Sequence, residues 1–266
     1  MEWITIILSS LFTLISPVGI VADQVAEGVI RDRLYQADLV DVRIDNTPNF
    51  RLVGGRVDRV RFAGRGISPI PEFRIDILDV ETDPIDIDLP ALQDGKFALD
   101  EPIQAATHIV LKTEDINTLL RSPRIQELLN TLEFNLPGAS DRERNRYRLS
   151  NPQIAFLPGN RIQITVDLAD RVLQEEVEAL VETGIQVIDG HQLVLLEPTI
   201  VIDGQSVPQQ LINAFTEGID ELLTLKQFDD WAIVARVLQF NLQPETLNLV
   251  VYVRVDPSSP LLEFED

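Results

Sequence analysis

From Leu39 onward, apolar and polar residues alternate with period two, and short turn signals cut the alternation into segments. This pattern suits half-buried strands joined by hairpins and disfavours the long crossovers of a doubly wound parallel sheet. Leu247, Leu249, Val251, Val253 and Val255 point one way, while Asn248, Val250, Tyr252 and Arg254 point the other. Ile162, Ile164, Val166 and Leu168 alternate in the same manner with Arg161, Gln163, Thr165 and Asp167. Gly54-Gly55, Asp94-Gly95, Pro158-Gly159-Asn160, Asp189-Gly190, Asp203-Gly204 and Pro244-Glu245 each separate two apolar runs. They supply the positive-φ and turn-initiating residues that hairpins need.

Two amphipathic helices interrupt the strands. Thr113-Glu114-Asp115-Ile116 offers a capping Thr with acids in the first turn, and Ile116, Leu119 and Leu120 line one face. Ser122-Pro123 breaks or restarts this helix, after which Ile125, Leu128, Leu129 and Leu132 continue the stripe. A second helix opens at Ser206-Val207-Pro208 and carries Leu211, Phe215, Ile219 and Leu222. The polar stretch 137–148 reads as a loop and a candidate subdomain boundary.

Residues Trp3 to Ala22 form an uncharged run long enough to cross a hydrocarbon core. Glu2 stands where a secretory signal carries Lys or Arg, and Pro17 and Gly19 interrupt the run. Thr5, Ser9, Thr13 and Ser16 recur at helical spacing as a weakly polar stripe. Three readings stay open: an interfacial or protein-buried helix with Trp3, Ile7, Leu11, Phe12 and Ile15 as its membrane-facing residues, an uncleaved anchor, or a cleaved signal. A further helical pattern, Val18, Val21, Ala22, Val25 and Val29, follows. The organisation expected is therefore an apolar membrane-interacting or core helix over 1–16, followed by one domain over 17–266.

Composition removes several function classes. A net charge of −21 repels nucleic-acid phosphate, so no nucleic-acid partner is expected. With no Cys, neither thiolate catalysis nor a cysteine metal site is available. His108 and His191 have no partner His at ligand spacing, and no G-x-S-x-G elbow occurs. Gly64-Arg65-Gly66 lacks the spacing of a dinucleotide loop and reads as a strand end and turn. No catalytic residue, metal ligand or cofactor is called, and the chain is read as a non-enzyme. Two charged clusters remain. The acids Asp76, Asp79, Glu81, Asp83, Asp86 and Asp88 fit either a solvated strand face or an oxygen-ligand site for a divalent cation. The arginines Arg51, Arg56, Arg59, Arg61, Arg65 and Arg74 fit either cross-strand ion pairs or phosphate contact, with Arg59 and Arg61 on one strand face as the headgroup candidates.

Several segments resemble the LmeA-like phospholipid-binding proteins, in the form common among photosynthetic bacteria. They are Ser16-Pro17-Val18-Gly19-Ile20-Val21-Ala22-Asp23, Val42-Arg43-Ile44-Asp45-Asn46, the run from Gly55 to Gly66, Glu81-Thr82-Asp83-Pro84-Ile85-Asp86, Thr113-Glu114-Asp115-Ile116-Asn117, and the late strand pair around Val234 to Val255. The resemblance implies an α+β, mainly antiparallel β fold of the tubular lipid-binding (TULIP-like) kind. In that fold a strongly curved sheet wraps an N-terminal helix, with two further amphipathic helices. It also implies non-catalytic binding or transfer of phospholipid or another acyl lipid in an apolar groove, at a membrane surface. Ile116, Leu119, Leu120, Leu211, Phe215 and Ile219 are then the lipid-binding residues. The protein would be membrane-associated on a periplasmic, lumenal or cytoplasmic side. The rival reading is a structural or scaffolding protein of the cell envelope or an internal membrane, without lipid transfer.

Overall fold

A computed structural model of the chain describes residues 27–28, 30–31, 34–45, 54–93, 98–131, 147–170, 175–213 and 223–262. The apolar run over 3–22, the helical pattern over 18–26, and Phe215 and Ile219 lie outside these residues. So does most of the expected boundary at 137–148.

Thirteen strands are present among the described residues, and every pairing with a given register is antiparallel. One open sheet runs in the order β1 (Leu39–Asp45), β3 (Arg59–Ile70), β4 (Phe73–Thr82), β6 (Ile103–Lys112), β13 (Thr246–Val255), β12 (Ile233–Gln243). A second open sheet runs β11 (Gln205–Ser206), β10 (Gln192–Ile202), β9 (Glu175–Ile188), β8 (Arg161–Asp170), β7 (Tyr147–Leu157). A two-stranded ribbon pairs β2 (Arg56–Val57) with β5 (Ile85–Asp86). The antiparallel character follows the expectation, but the strands divide between two sheets where one wrapped sheet was expected. The chain packs as two compact units, residues 1–110, 225–240 and 248–266 in unit 1 and residues 111–224 and 241–247 in unit 2.

In unit 1 the alternation puts one sheet face in the core. Val40, Val42, Phe62, Leu78, Val80 and Ala105 are all buried and share that face through the register of β1, β3, β4 and β6. Val253 and Val255 extend it into a cluster with Ile103, Ile233, Ala235 and Phe228. Fully burying a side chain of this size stabilises by about 1.5–3 kcal/mol, so this face dominates the stability of the unit.

The Gly64-Arg65-Gly66 segment is not a strand end. It lies inside the twelve-residue β3, with Gly64 paired to Leu78 and Arg65 to Ile77. Gly66 has φ +57°, and a Cβ there would run into the Asp38 carboxylate and the Arg74 guanidinium, which bond each other at 2.9 Å. Glycine thus lets a strand continue beneath an ion pair where any side chain would collide.

The hairpin turns stand where the turn chemistry put them. Asp189-Gly190 (φ 51°, 68°) and Asp203-Gly204 (φ 48°, 72°) both place two successive residues at positive φ, the type I′ requirement. Asp94-Gly95 lies outside the described residues.

Three labelled helices occur among the described residues: α1 (Leu89–Gln93), α2 (Thr113–Leu120) and α3 (Pro123–Thr131). Thr113 does not cap α2. Lys112 occupies that position without a side-chain cap, and the Thr113 hydroxyl turns to the Pro244 carbonyl at 3.4 Å. Ser122 is the working cap of the pair: its Oγ accepts from Ile125 N–H at 3.4 Å, and Pro123 takes the first helical position. The next helical residues are 209–213, one position beyond Pro208, whose carbonyl accepts from Leu211 and Ile212 N–H. In this segment Ile212 is 3% exposed and Leu211 47%, so Ile212 takes the inward position expected of Leu211.

Candidate functional site

The second sheet gathers apolar side chains on one face. On β8, Ile162, Ile164, Val166 and Leu168 share a face with Phe156, Ile154 and Leu149 of β7. The same face continues with Val177, Ala179 and Val181 of β9, and Ile200 and Ile202 of β10. Its reverse carries Arg161, Gln163, Thr165, Asp167, Glu176, Glu178 and Glu182, with Arg161 paired to Glu182 at 2.9 Å. Phe156, Ile162, Val166 and Ala179 are buried, whereas Ile154, Ile164, Leu168, Val177, Val181, Ile200 and Ile202 are only half-buried. A contiguous apolar face with most of its side chains reachable from solvent is the kind of surface that an acyl chain covers.

One side chain of helix α2 bonds the edge of this sheet through two hydrogen bonds. Asn117 donates from Nδ2 to the Ile154 carbonyl at 2.9 Å and accepts at Oδ1 from the Ile154 N–H at 2.8 Å. Because β7 is an edge strand, its amide thereby stands in for the missing neighbour. The contact falls beside a bulge between Ser150 and Gln153, where Asn151 has φ 50°. Ile116, Leu119 and Leu120, expected on an interior face, are all half-buried on this helix, and none of its residues is fully buried. Asn117 was visible in the sequence only as an amide within a helix, a position that disfavours it and so asks for a partner.

The charged clusters meet as ion pairs, those of Arg43, Arg59, Arg61 and Arg65 on the polar face of the first sheet, that of Arg56 in the β2–β5 ribbon and those of Arg74 on the opposite side by register. Arg59 pairs with Glu81 at 3.0 Å, Arg65 with Asp79 at 2.6 Å, Arg56 with Asp86 at 3.5 Å, and Arg74 with both Asp38 and Asp76 at 2.9 Å. Arg61 and Arg43 share the Asp45 carboxylate. The hydrogen bond from Arg61 holds the Asp45 carboxyl below the ordinary range, helped by the charges of Arg43 and Arg59. Cross-strand pairing, one of the two readings of the arginine run, describes Arg56, Arg59, Arg61 and Arg65. Arg51 lies outside the described set. Among the described residues no group of three or more His, Asp or Glu is placed to hold a metal ion.

Arg61 also lines an open groove of about 440 Å³ with Asp41, Arg43, Ala63, Asp79, Glu81, Ala106, His108 and Val250. Arg59 is not among its lining residues. His108 Nδ1 lies 3.7 Å from Asp79 Oδ2, and His191 Nδ1 lies 3.0 Å from the Asp189 carbonyl oxygen. Among the described residues no helix is long and apolar enough to cross a membrane.

These features define a β-rich protein with a half-covered apolar sheet face and an amphipathic helix pinned at its edge. The chain belongs to the LmeA-like phospholipid-binding family, whose model matches residues 14–251. No curated protein and no solved structure gives a significant match.

Proposed function

We propose that this protein binds a phospholipid or another acyl lipid along the apolar face of the β7–β10 sheet and carries or presents it at a membrane without catalysing a reaction. The observation that supports it most is the half-buried state of Ile164, Leu168, Val177, Val181 and Ile200, on a face that is apolar from β7 to β10. Covering such a surface is favourable by roughly 0.8 kcal/mol per methylene, so one acyl chain supplies affinity without a specific polar contact. Membership in a phospholipid-binding family points the same way. Ile116, Leu119 and Leu120 of α2 contribute further apolar surface, and Phe215 and Ile219 extend the set from the sequence. Leu211 faces outward and is left out. Trp3, Ile7, Leu11, Phe12 and Ile15 provide the membrane contact.

The test is native mass spectrometry of the full chain purified from cells, with the bound material extracted and identified. Wild type is expected to carry acyl lipid. Val181→Glu, on the apolar face, is expected to lose it, and Thr165→Glu, on the reverse face of the same sheet, to keep it. Lipid-free wild type, or equal loading of both variants when circular dichroism shows both folded, would refute the reading.

A further inference from the structure

The groove on the polar face of unit 1 is built from two rows of side chains that run across the strands. Register places Arg43, Arg61, Glu81 and Ala106 in one row and Asp41, Ala63, Asp79 and His108 in the next. The rows are two residues apart along each strand, about 6.6–7 Å. Ala63 and Ala106 are short where their neighbours are long, which opens the groove and gives it an apolar floor with Val250.

The two rows differ in charge. In the first, Arg43 and Arg61 sit on directly opposed residues and share one carboxylate, Asp45, so a positive charge is left over between them. Arg61 Nε is buried and has no hydrogen-bond partner among the described residues, a donor whose desolvation is not repaid within the chain. In the second row, Asp41 has no basic partner among the described residues, and it flanks Ala63 on one side as Asp79 does on the other. Asp79 is engaged by Arg65, and Glu81 of the first row by Arg59. The groove therefore has a cationic pole at Arg43 and Arg61 and an anionic pole over Ala63.

We propose that this groove binds a phosphorylated primary amine with the chemistry of phosphoethanolamine. The phosphate lies on the guanidinium groups of Arg43 and Arg61, while the ammonium sits over Ala63 between Asp41 and Asp79. Guanidinium groups suit phosphate oxygens through charge-assisted hydrogen bonds. A primary ammonium has three donors for carboxylates. A quaternary ammonium has none and is recognised by the faces of Trp, Tyr or Phe, and the Phe62 ring that lines the groove is buried on the core side of the sheet. The volume lies at the lower end of the ligand-pocket range of about 300–1,000 Å³. It accommodates a headgroup with its glycerol; the groove belongs to unit 1 and the apolar face of β7–β10 to unit 2. The same chemistry is offered by a lipid headgroup in a bilayer and by a soluble phosphoamine. Only the first source rests on the lipid reading.

Calorimetric titration of the full chain with glycerophosphoethanolamine, glycerophosphocholine and glycerophosphoglycerol tests the site without any acyl chain. Glycerophosphoethanolamine is expected to bind about tenfold or more tightly than the other two, the worth of one charged hydrogen bond. Asp41→Asn, at an exposed residue, is expected to erase that preference, and Arg43→Gln to weaken all three ligands. Equal binding of the ethanolamine and choline probes, or an unchanged preference in Asp41→Asn, would overturn the proposal. Flotation with phosphatidylcholine vesicles, with and without phosphatidylethanolamine, then assigns the source. Enrichment on the ethanolamine vesicles supports a headgroup in the bilayer, and soluble binding without enrichment supports a free phosphoamine. Co-purified lipid, read separately in Asp41→Asn, is expected to be unchanged, so loss of acyl loading and loss of headgroup binding remain distinguishable.

Discussion

Replacing Asn117 by Ala removes both hydrogen bonds that tie α2 to the edge of β7 and leaves the Ile154 N–H and carbonyl without their partner. At about 0.5–1.5 kcal/mol for each bond, the loss is about 1–3 kcal/mol. It lies toward the upper part of that range if the half-buried edge excludes water from Ile154, and toward the lower part if water takes the place of the amide. Urea denaturation measures the total, and hydrogen exchange resolves where it falls: the Ile154 amide is expected to exchange faster in Asn117→Ala, while the amide of Ile162 on β8 is unaffected at the same step. Asn117→Asp keeps an acceptor for the N–H and discards the donor to the carbonyl, so its stability should fall between wild type and the alanine variant. A destabilisation under about 0.5 kcal/mol with unchanged exchange at Ile154 would refute the assignment of Asn117 as the edge partner. Because α2 carries Ile116, Leu119 and Leu120, the same variant should also lower the amount of lipid that co-purifies.

Gly66→Ala forces a Cβ into the Asp38–Arg74 pair at φ +57° and is expected to cost at least about 1–2 kcal/mol in urea. Gly159→Ala, at φ +79° in open space, should cost no more than the backbone strain alone. The Asp45 carboxyl has a folded-state value below its unfolded one, so its pairing with Arg61 stabilises the fold above the ordinary carboxylate range and is lost as pH falls through the lowered value. Asp45→Asn is therefore expected to lower the denaturation midpoint at pH 7 and to converge on wild type in strong acid; parallel curves across that range would contradict the linkage. Deletion of residues 1–16 is expected to release the protein from membranes in a flotation assay while the β-rich circular dichroism spectrum is retained.

Much of this architecture is written locally. Period-two alternation located β8 and β13, and paired positive-φ residues located the hairpins at Asp189-Gly190 and Asp203-Gly204, because both signals depend on a few adjacent residues. What is not local was harder to read. The division of the strands into two sheets depends on which strands meet across the helical insertion after β6, and no short window contains that information. Gly66 resembled a turn because its reason for being glycine is Asp38 on the preceding strand connection, twenty-eight residues earlier, and Arg74. The phase of the helical stripe at Leu211 was ambiguous because the segment was read from few apolar positions, and Ile212 takes the inward one.

The charged face shows how far a sequence can carry such an argument and what the register adds. The arginine and carboxylate runs were legible as strand faces, and their opposite signs allowed pairing; the register decides which charge finds which partner. Once Arg59, Arg65 and Arg74 are matched with Glu81, Asp79 and the Asp38–Asp76 pair, charge left unbalanced among the described residues of the groove's rows stands at the two guanidiniums that divide Asp45 and at Asp41. Exposed pairs of this kind contribute at most about 1 kcal/mol each, so stability gives little reason for so many charges on one face. Their cost is low and their geometric effect is large: the long paired side chains raise walls around Ala63 and Ala106, and the two unbalanced positions give the enclosed space its polarity. Substituting Ala63 by Leu would leave every ion pair in place and fill the space between Asp41 and Asp79. Loss of glycerophosphoethanolamine binding in Ala63→Leu at unchanged denaturation midpoint would separate the recognising shape from the stabilising charges, whereas retained binding would place the ligand elsewhere on the sheet.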